Sequence, residues 1–449
     1  MTALWYAVGL VGFFVAILAS IGLHEIGHMV PARRFGCKVP QYFIGFGRTV
    51  WSKRVGETEY GVKAVPLGGY VKIVGMLPPG PEGPPQVEVD ADGNKVVTVR
   101  GSSTGLFTQL ISDARAAEWE LISPEDEPRL FYRLPWWKKV IVMAGGPTMN
   151  LVIAFGLFWG LYATYGNPMD SKTEPVVSEV LGCVVPYAES GRTCTPDDEV
   201  TPAKKAGIEV GDRFLAVDGV PVTSWEKATE QIRAIKDGKV TLTILRDGEE
   251  LTIHTDTTVT ALPASPEDAD SKLVDVGFLG VVATAHQVTG GPIYTAQQMG
   301  SMTVDTVHAL VRLPVKVWHV ALSIAGVEKR AVDSPVSIVG GGRIAGEVTA
   351  SDNIALSDKA AMLVALVGGF NFFVGMFNLI PLLPLDGGHI AGALWEALRR
   401  SLYRLRGLPD PGYVDVAKLL PVAYVVGAML LVMGVVLIVA DIVRPLHVT

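Results

Sequence analysis

The sequence predicts a polytopic α-helical membrane protein with four transmembrane helices, a cytoplasmic membrane-associated β-hairpin sheet and an extracytoplasmic α/β domain. Hydrophobic residues make up 49% and charged residues 18% of the 449-residue chain, which is too apolar for an ordinary soluble protein. Mean hydropathy is +0.35. Four uncharged runs are each long enough to cross a hydrocarbon core of ~30 Å. These runs are residues 3–23, 140–166, 360–385 and 419–440.

Positive charges predict the orientation of these runs, because loops rich in Lys and Arg stay in the cytoplasm. Both termini and the long segment between the second and third runs are therefore expected outside. The first run has no basic stretch before it and no small-residue cleavage site after it, so we expect this helix to be retained. The positive clusters are Arg33, Arg34 and Lys38; Arg133, Lys138 and Lys139; and Arg399, Arg400, Arg404 and Arg406.

A zinc-binding motif continues the first apolar run at its cytoplasmic end. The sequence HEIGH places His24 and His28 one helical turn apart, so both imidazoles can bind one tetrahedral ion. Glu25 lies beside them, where a general base for the metal-bound water is needed. Ionisable groups at membrane depth are costly and usually face a partner or an ion. A pair of surface histidines just past a membrane anchor is the alternative that the motif alone leaves open.

A catalytic zinc usually has three protein ligands, so the sequence must supply one more. The third apolar run ends in NLIPLLPLDGGH, where Pro381 and Pro384 interrupt the helix and Asp386 follows them. Irregular backbone at membrane depth is tolerated where it lines a site. Asp386 also lies at the same predicted membrane level as HEIGH, so we favour it as the third ligand. His389 is the competing candidate.

Two asparagines in the apolar runs have two interpretations each. Asn378 precedes the proline-rich segment and could hydrogen-bond a substrate backbone or a neighbouring helix. Asn150, in AGGPTMN on the second run, is favoured for helix packing because small residues adjoin it.

Net charge is −7 and no Lys/Arg run is interleaved with aromatics, so nucleic acid is not an expected partner.

The polar parts of the chain divide into several predicted regions. Residues 37–77 favour a small sheet of hairpins, because β-branched and aromatic residues alternate with glycines. The prolines of residues 78–85 end that sheet and begin an insertion, residues 78–135, for which an accessory role and a solvated linker are both open. Cys183 and Cys194 lie close together in the outer segment, where a disulfide and two free thiols are equally expected.

The outer segment resembles a PDZ domain of the bacterial, circularly permuted kind. The resemblance rests on AGIEVGDRFLAVDGVPV at residues 206–222, followed by a helical SWEKATEQIRAI and two strand-like runs. It implies a groove that accepts an extended peptide by strand addition, or a domain that only blocks access to the site. Residues 283–358 have helical spacing and are expected along the membrane surface or in a soluble packing element.

Together these motifs resemble the site-2 protease family of intramembrane zinc metalloproteases, in its bacterial sigma-regulating, four-span branch. The resemblance implies that His24, His28 and Asp386 bind Zn²⁺, that Glu25 activates water and that Asn378 contacts the substrate backbone. It also implies a strand edge for the unwound substrate around Gly68, Gly69 and Tyr70. One departure is that Leu383 stands where the family usually has its second proline, which here is Pro384.

The resemblance also implies partners and a location. The expected substrates are single-span membrane proteins such as anti-sigma factors after a first cut, and the expected location is the bacterial plasma (inner) membrane, with the active site near the cytoplasmic face. A non-proteolytic membrane PDZ scaffold or a metal-transporting protein is the alternative function. The predicted regions are 1–36, 37–77, 78–135, 136–166, 167–282, 283–358, 359–398, 399–417 and 418–449.

Overall fold

The structure is a computed structural model that describes residues 2–79, 86–89, 95–98, 106–119, 122–189, 192–264 and 272–446. Residues 80–85, which hold most of the predicted proline-rich breaker, lie outside the described part. The chain forms two compact units. The first, called here the membrane unit, comprises residues 1–163 and 291–449; the second, the sheet unit, comprises residues 164–290.

Five helices in the described residues are long and apolar enough to cross a membrane, which supports a multi-pass membrane protein. Four of them overlap the predicted runs, and the fifth is α6. The helices are α1 Thr2–Arg34, α2 Leu106–Trp119, α3 Trp136–Thr164, α4 Pro202–Lys205, α5 Trp225–Ile235, α6 Pro292–Ile324, α7 Ile338–Ala350, α8 Leu356–Asn378, α9 Asp386–Leu405 and α10 Leu420–Val443.

The third apolar run does not continue as one helix through the predicted region 359–398. Helix α8 ends at Asn378, the prolines hold residues 379–385 out of helical structure, and α9 begins at Asp386. This loop folds back against the start of α9. A Cβ atom on Gly387 would lie 2.1 Å from the carbonyl oxygen of Ile380. Only glycine therefore allows so close an approach immediately after Asp386.

Both ends of α6 lie at the same end of the membrane unit. At its start, the ring of Tyr294 packs 5.7 Å from that of Tyr162 on α3. Beyond its other end, Arg330 donates a hydrogen bond to the carbonyl oxygen of Arg444, just past α10 (2.9 Å). At 1.5 Å per residue, Tyr162 lies about 24 Å along α3 from Gly146. Arg444 lies about 26 Å along α10 from Gly427, where an added Cβ would be 3.9 Å from Pro384. We call this end of the unit, which is remote from His24, the far end.

The sheet after α1 is more bent than a simple hairpin. Strands β1 (Gln41–Val55) and β2 (Thr58–Lys72) pair with each other in two registers, so that the start of β1 lies between two segments of β2. Ile44 is opposite both Gly69 and Val62, while residues 49–55 pair with residues 58–63. Residues 69–72 therefore form one edge of a folded sheet, and no described strand pairs with their other side. The short strands β3 (Gln86–Val89) and β4 (Lys95–Thr98) pair with each other.

Helix α2 of the insertion is held to the rest of the membrane unit by two charged contacts. Arg115 donates to both carboxylate oxygens of Asp415 at 2.7 Å, next to the start of α10. Glu118 accepts hydrogen bonds from the backbone N–H groups of Met76 and Leu77, just after β2. Burial raises the pKa of Glu118 to about 7, although these N–H donors favour the ionised carboxylate. The insertion thus ties the folded sheet to α10.

The sheet unit is built on one antiparallel sheet with the order β10-β9-β8-β6-β5-β11, to which β7 adds beside β6. Its core contains fully buried Phe214, Leu242 and Ile244, and α5 packs over it. Cys183 and Cys194 form a disulfide with an S–S distance of 2.05 Å. The strands are β5 Asn167–Val180, β6 Arg213–Val217, β7 Val220–Pro221, β8 Gly238–Arg246, β9 Glu249–Pro263, β10 Leu273–Phe278 and β11 Val281–Val288.

Candidate metal centre

The two histidines of HEIGH face each other on the C-terminal part of α1. Their Nε2 atoms lie 3.3 Å apart, and the His28 ring is buried. The Nδ1–H group of His28 donates to the carbonyl oxygen of Val142 on α3 at 2.8 Å. This hydrogen bond assigns the tautomer, because the proton on Nδ1 leaves a lone pair on Nε2. The unprotonated Nε2 of His28 therefore points towards His24.

Asp386 completes the group from the first turn of α9. Its Oδ2 atom lies 3.4 Å from His24 Nε2 and 3.3 Å from His28 Nε2. The three ligand atoms all lie within 4.8 Å of one another. Oδ2 is buried and has no hydrogen-bond partner in the described part of the chain. His28 Nε2 offers a lone pair and Asp386 a carboxylate oxygen, and together with His24 Nε2 they form a ligand set that fits a metal ion.

Helices α1 and α3 cross at glycines directly beside this group. A Cβ atom on Gly145 would lie 2.0 Å from the carbonyl oxygen of Gly27. A Cβ atom on Gly146 would lie 2.2 Å from His28 Nε2 and 2.7 Å from the His24 ring. The AGGPTMN motif thus lets α3 approach the histidines closely. Sequence reasoning did not assign this role to the glycines, although the paired small residues next to Asn150 were the available signal.

Glu25 lies under the edge segment of the folded sheet. Its Cγ atom is 3.1 Å from the position that a Cβ on Gly69 would occupy, so β2 passes directly over the carboxylate side chain. Gly68 has a φ angle of +120°, which favours glycine, and Tyr70 stacks on Phe43 at 5.6 Å. The structure therefore brings Gly68, Gly69 and Tyr70 to the neighbourhood of Glu25.

Comparison with known proteins agrees with this arrangement. The model of peptidase family M50 matches residues 12–408. The chain belongs to peptidase family M50. It is 33% identical to the zinc metalloprotease Rip1 of Mycolicibacterium smegmatis, covering 99% of each chain. It is 33% identical to Rip1 of Mycobacterium tuberculosis, covering 98% of this chain and 99% of that one. A putative zinc metalloprotease of Brucella suis is 25% identical over 87% of this chain and 86% of its own.

These relatives confirm the predicted family and activity. The protein is a zinc metalloprotease of the site-2 protease type, and zinc is its cofactor. This outcome favours the enzyme over the membrane scaffold and the metal transporter that the sequence left open.

His389 is not part of the converging group of this M50 peptidase. Among the described residues, the His, Cys, Asp and Glu side chains that can share one ion are His24, His28 and Asp386. His389 instead lines a small cavity of about 20 Å³ with Lys139, Glu396 and Tyr132. The geometry therefore favours Asp386 as the third ligand.

The two asparagines lie near the centre but outside the ligand group. Asn378 is the last residue of α8, and its side chain donates to the carbonyl oxygen of Val374 at 3.1 Å. Asn150 is buried on α3, one turn beyond Gly146, and its Oδ1 has no partner among the described residues. A third asparagine was not anticipated from the sequence. Asn371 donates to Ser20 Oγ at 3.0 Å and joins α8 to α1 one turn before His24.

Proposed function

We propose that this M50 peptidase cleaves peptide bonds within the transmembrane segments of single-span membrane proteins. The observation that carries the proposal is the convergence of Asp386 on α9 with His24 and His28 on α1, which follow an apolar run long enough to span a bilayer. A metal centre at that depth can reach the transmembrane segment of a substrate protein. By its resemblance to the sigma-regulating branch, the substrate class is the membrane stub of an anti-sigma factor or similar protein, left after a first cut.

We assign zinc binding to His24, His28 and Asp386 and general-base catalysis to Glu25. Zinc, when bound, supplies Lewis acidity that acidifies water and polarises a carbonyl group. Glu25 accepts the proton of the attacking water and returns it to the departing amine nitrogen, so the carboxylate is regenerated in each cycle. The carbonyl oxygen of Val142 keeps His28 in the tautomer that the metal requires.

A helical substrate must unwind before it can react, because its carbonyl oxygens accept hydrogen bonds within the helix. We propose that residues 69–72 receive the freed backbone groups by strand addition. The free edge of this segment and its position over Glu25 support that role for Gly68, Gly69 and Tyr70. Asn378 is proposed to hydrogen-bond the substrate from the end of α8. Substrates with helix-breaking residues near the cut should be preferred.

We propose four membrane-spanning helices, α1, α3, α8 and α10, in a bacterial plasma membrane. Helix α6 is apolar enough to be a fifth, but both its ends lie at the far end of the membrane unit, which supports a position along the membrane surface. The positive clusters support a metal centre near the cytoplasmic face and a sheet unit outside.

The sheet unit is proposed to be a PDZ domain that regulates access of substrates. Strand β11 pairs with β5 alone among the described strands, so one of its edges is free to accept an extended peptide. The disulfide between Cys183 and Cys194 is consistent with an oxidising compartment outside the cytoplasm. Peptide receptor and gatekeeper are both compatible with this arrangement.

Substitution of Glu25 by Gln tests the proposed reaction. We expect purified Glu25→Gln protein to keep its zinc, because Glu25 is not a ligand, and to cleave a single-span reporter at least about 100-fold more slowly. Cleavage is measured on the reporter in proteoliposomes, and zinc by metal analysis of the same preparation.

Glu347→Gln is the matched control. Glu347 is also a partly buried glutamate of the membrane unit, but it lies on α7 and pairs with Arg343. This variant should cleave at the wild-type rate. Cleavage by Glu25→Gln at a rate close to wild type would exclude Glu25 as the base.

A further inference from the structure

A buried ion pair lies on the side of the metal centre towards the start of α3. Lys139 Nζ is 2.8 Å from Glu396 Oε2, and their side chains are only 8% and 2% exposed. Tyr413 covers the pair, with its ring centre 5.1 Å from Lys139 Nζ. Arg400 approaches the second Glu396 oxygen at 3.3 Å. Burying both charges costs several kcal/mol of desolvation that their attraction must repay.

The pair joins the two helices that place the third ligand against the histidines. Lys139 is on α3, three residues before Val142, whose carbonyl oxygen orients His28. Glu396 is on α9, about 15 Å along the helix from Asp386 at 1.5 Å per residue. Ile390 on α9 also packs against the buried cluster that contains Val142 and Met143 of α3. The ion pair adds a directed side-chain contact to this apolar packing between α9 and α3.

We propose that Lys139 and Glu396 are positioning residues that hold Asp386 at the right distance from His24 and His28. The inference rests on the proposed ligand set. An ion pair with hydrogen-bond geometry fixes both separation and rotation of α9, whereas apolar contacts allow sliding. Residues that orient metal ligands typically change metal affinity by about 10- to 100-fold when they are replaced.

The competing explanation is that the pair only stabilises the fold. The membrane unit offers a matched control, because Arg330 and Asp441 form a second buried ion pair at the far end. Their side chains are 4% and 1% exposed, and the Arg330 Nη2 to Asp441 Oδ1 distance is 2.7 Å. Loss of either pair should cost the fold similar stability. Only the pair that links α3 to α9 should affect the metal.

The test compares two double variants, Lys139→Met/Glu396→Met and Arg330→Met/Asp441→Met. Replacing both partners of a buried pair by apolar side chains is often neutral for stability, so both proteins should fold. The zinc dissociation constant is measured by chelator competition on purified protein in detergent, and the unfolding midpoint is measured on the zinc-free proteins. We expect the first variant to bind zinc at least about tenfold more weakly and the second within about twofold of wild type.

A further pair of variants guards against loss of folding. Lys139→Arg keeps the ion pair and should retain most of the zinc affinity, whereas Glu396→Gln removes one charge and should not. If the Lys139 and Glu396 variants bind zinc as wild type does, or if the control pair weakens zinc equally, the proposal is wrong. Failure of the ligand assignment is recognised separately, because Asp386→Ala would then keep its zinc.

Discussion

Carboxylates are buried both at the far end of the membrane unit and at the candidate metal centre, but their hydrogen bonds differ. The far-end carboxylate has a donor for each oxygen, whereas Oδ2 of Asp386 has no hydrogen-bond partner in the described residues. At the far end, one oxygen of Asp441 accepts from Arg330 and the other from the backbone N–H of Ser337, both at 2.7 Å. Around His24, two imidazole nitrogens and Oδ2 of Asp386 converge on one another. Buried charge is therefore a poor marker of chemistry by itself, while the convergence of three ligand atoms fits a bound cation.

The sharpest test of this contrast removes one carboxylate from each end. Asp386→Ala should lose zinc almost completely, because two imidazoles alone are too few protein ligands for a stable catalytic site. Asp441→Ala should keep its zinc and lower only the unfolding midpoint, since an unpaired Arg330 remains buried. Metal analysis after dialysis against a weak chelator measures the first effect, and a thermal scan measures the second.

His389→Ala completes that comparison. His389 is three residues from Asp386 but lies outside the converging group, so its removal should leave zinc in place. A variant pattern in which Asp386→Ala keeps zinc and His389→Ala loses it would reverse the ligand assignment.

A smaller effect is expected from filling the helix crossing under the histidines. In Gly146→Ala the new Cβ would meet His28 Nε2, so the ring must move and zinc binding should weaken by about tenfold or more. Alanine favours helix over glycine, so the substitution itself does not weaken α3. Chelator competition again gives the dissociation constant.

Gly156→Ala on the same helix is the control for this variant. No atom of the described residues lies within 4 Å of the added Cβ, so zinc affinity should stay at the wild-type value. Equal zinc affinity in both variants would show that the crossing is loose enough to absorb a methyl group.

The residues of the proposed metal centre carry a stronger signal in the sequence than their surroundings do, for a physical reason. His24, His28 and Asp386 are ionisable groups at or beside apolar runs, where their cost makes them conspicuous. Lys139 carries no such signal. It follows another lysine at the start of an apolar run and was counted among the cytoplasmic charges, yet in the fold it is buried against Glu396. Pairing between residues far apart in the chain has no local pattern.

The folded sheet and the fifth apolar helix were also only partly predictable. Hairpins were expected in residues 37–77, but the double pairing of β1 depends on bends that spacing does not encode. Helix α6 is as long as α1, and hydropathy alone would count it as a span. Its position depends on where its two ends make contacts, which only the tertiary structure provides. Local periodicity thus predicts elements, whereas chemistry at the site depends on their arrangement.

The last prediction concerns the pH dependence of stability at Glu118, which joins the insertion to the end of β2. Its pKa is raised to about 7 by burial, so the folded state keeps a proton that the unfolded state releases near 4.5. Stability then falls as pH rises from 4.5 to 7, by at most about 3 kcal/mol. The unfolding midpoint of wild type should therefore decrease more steeply over this range than that of Glu118→Gln, which cannot ionise.

Glu125→Gln removes an exposed carboxylate from the same insertion and should keep the wild-type slope. Thermal scans of the three proteins from pH 5 to 8 in detergent, with zinc removed, separate this titration from metal binding. Parallel curves for wild type and Glu118→Gln would mean that the backbone N–H groups of Met76 and Leu77 hold the carboxylate ionised throughout. The contact would then be a permanent tie between the insertion and the sheet over Glu25, with no dependence on pH.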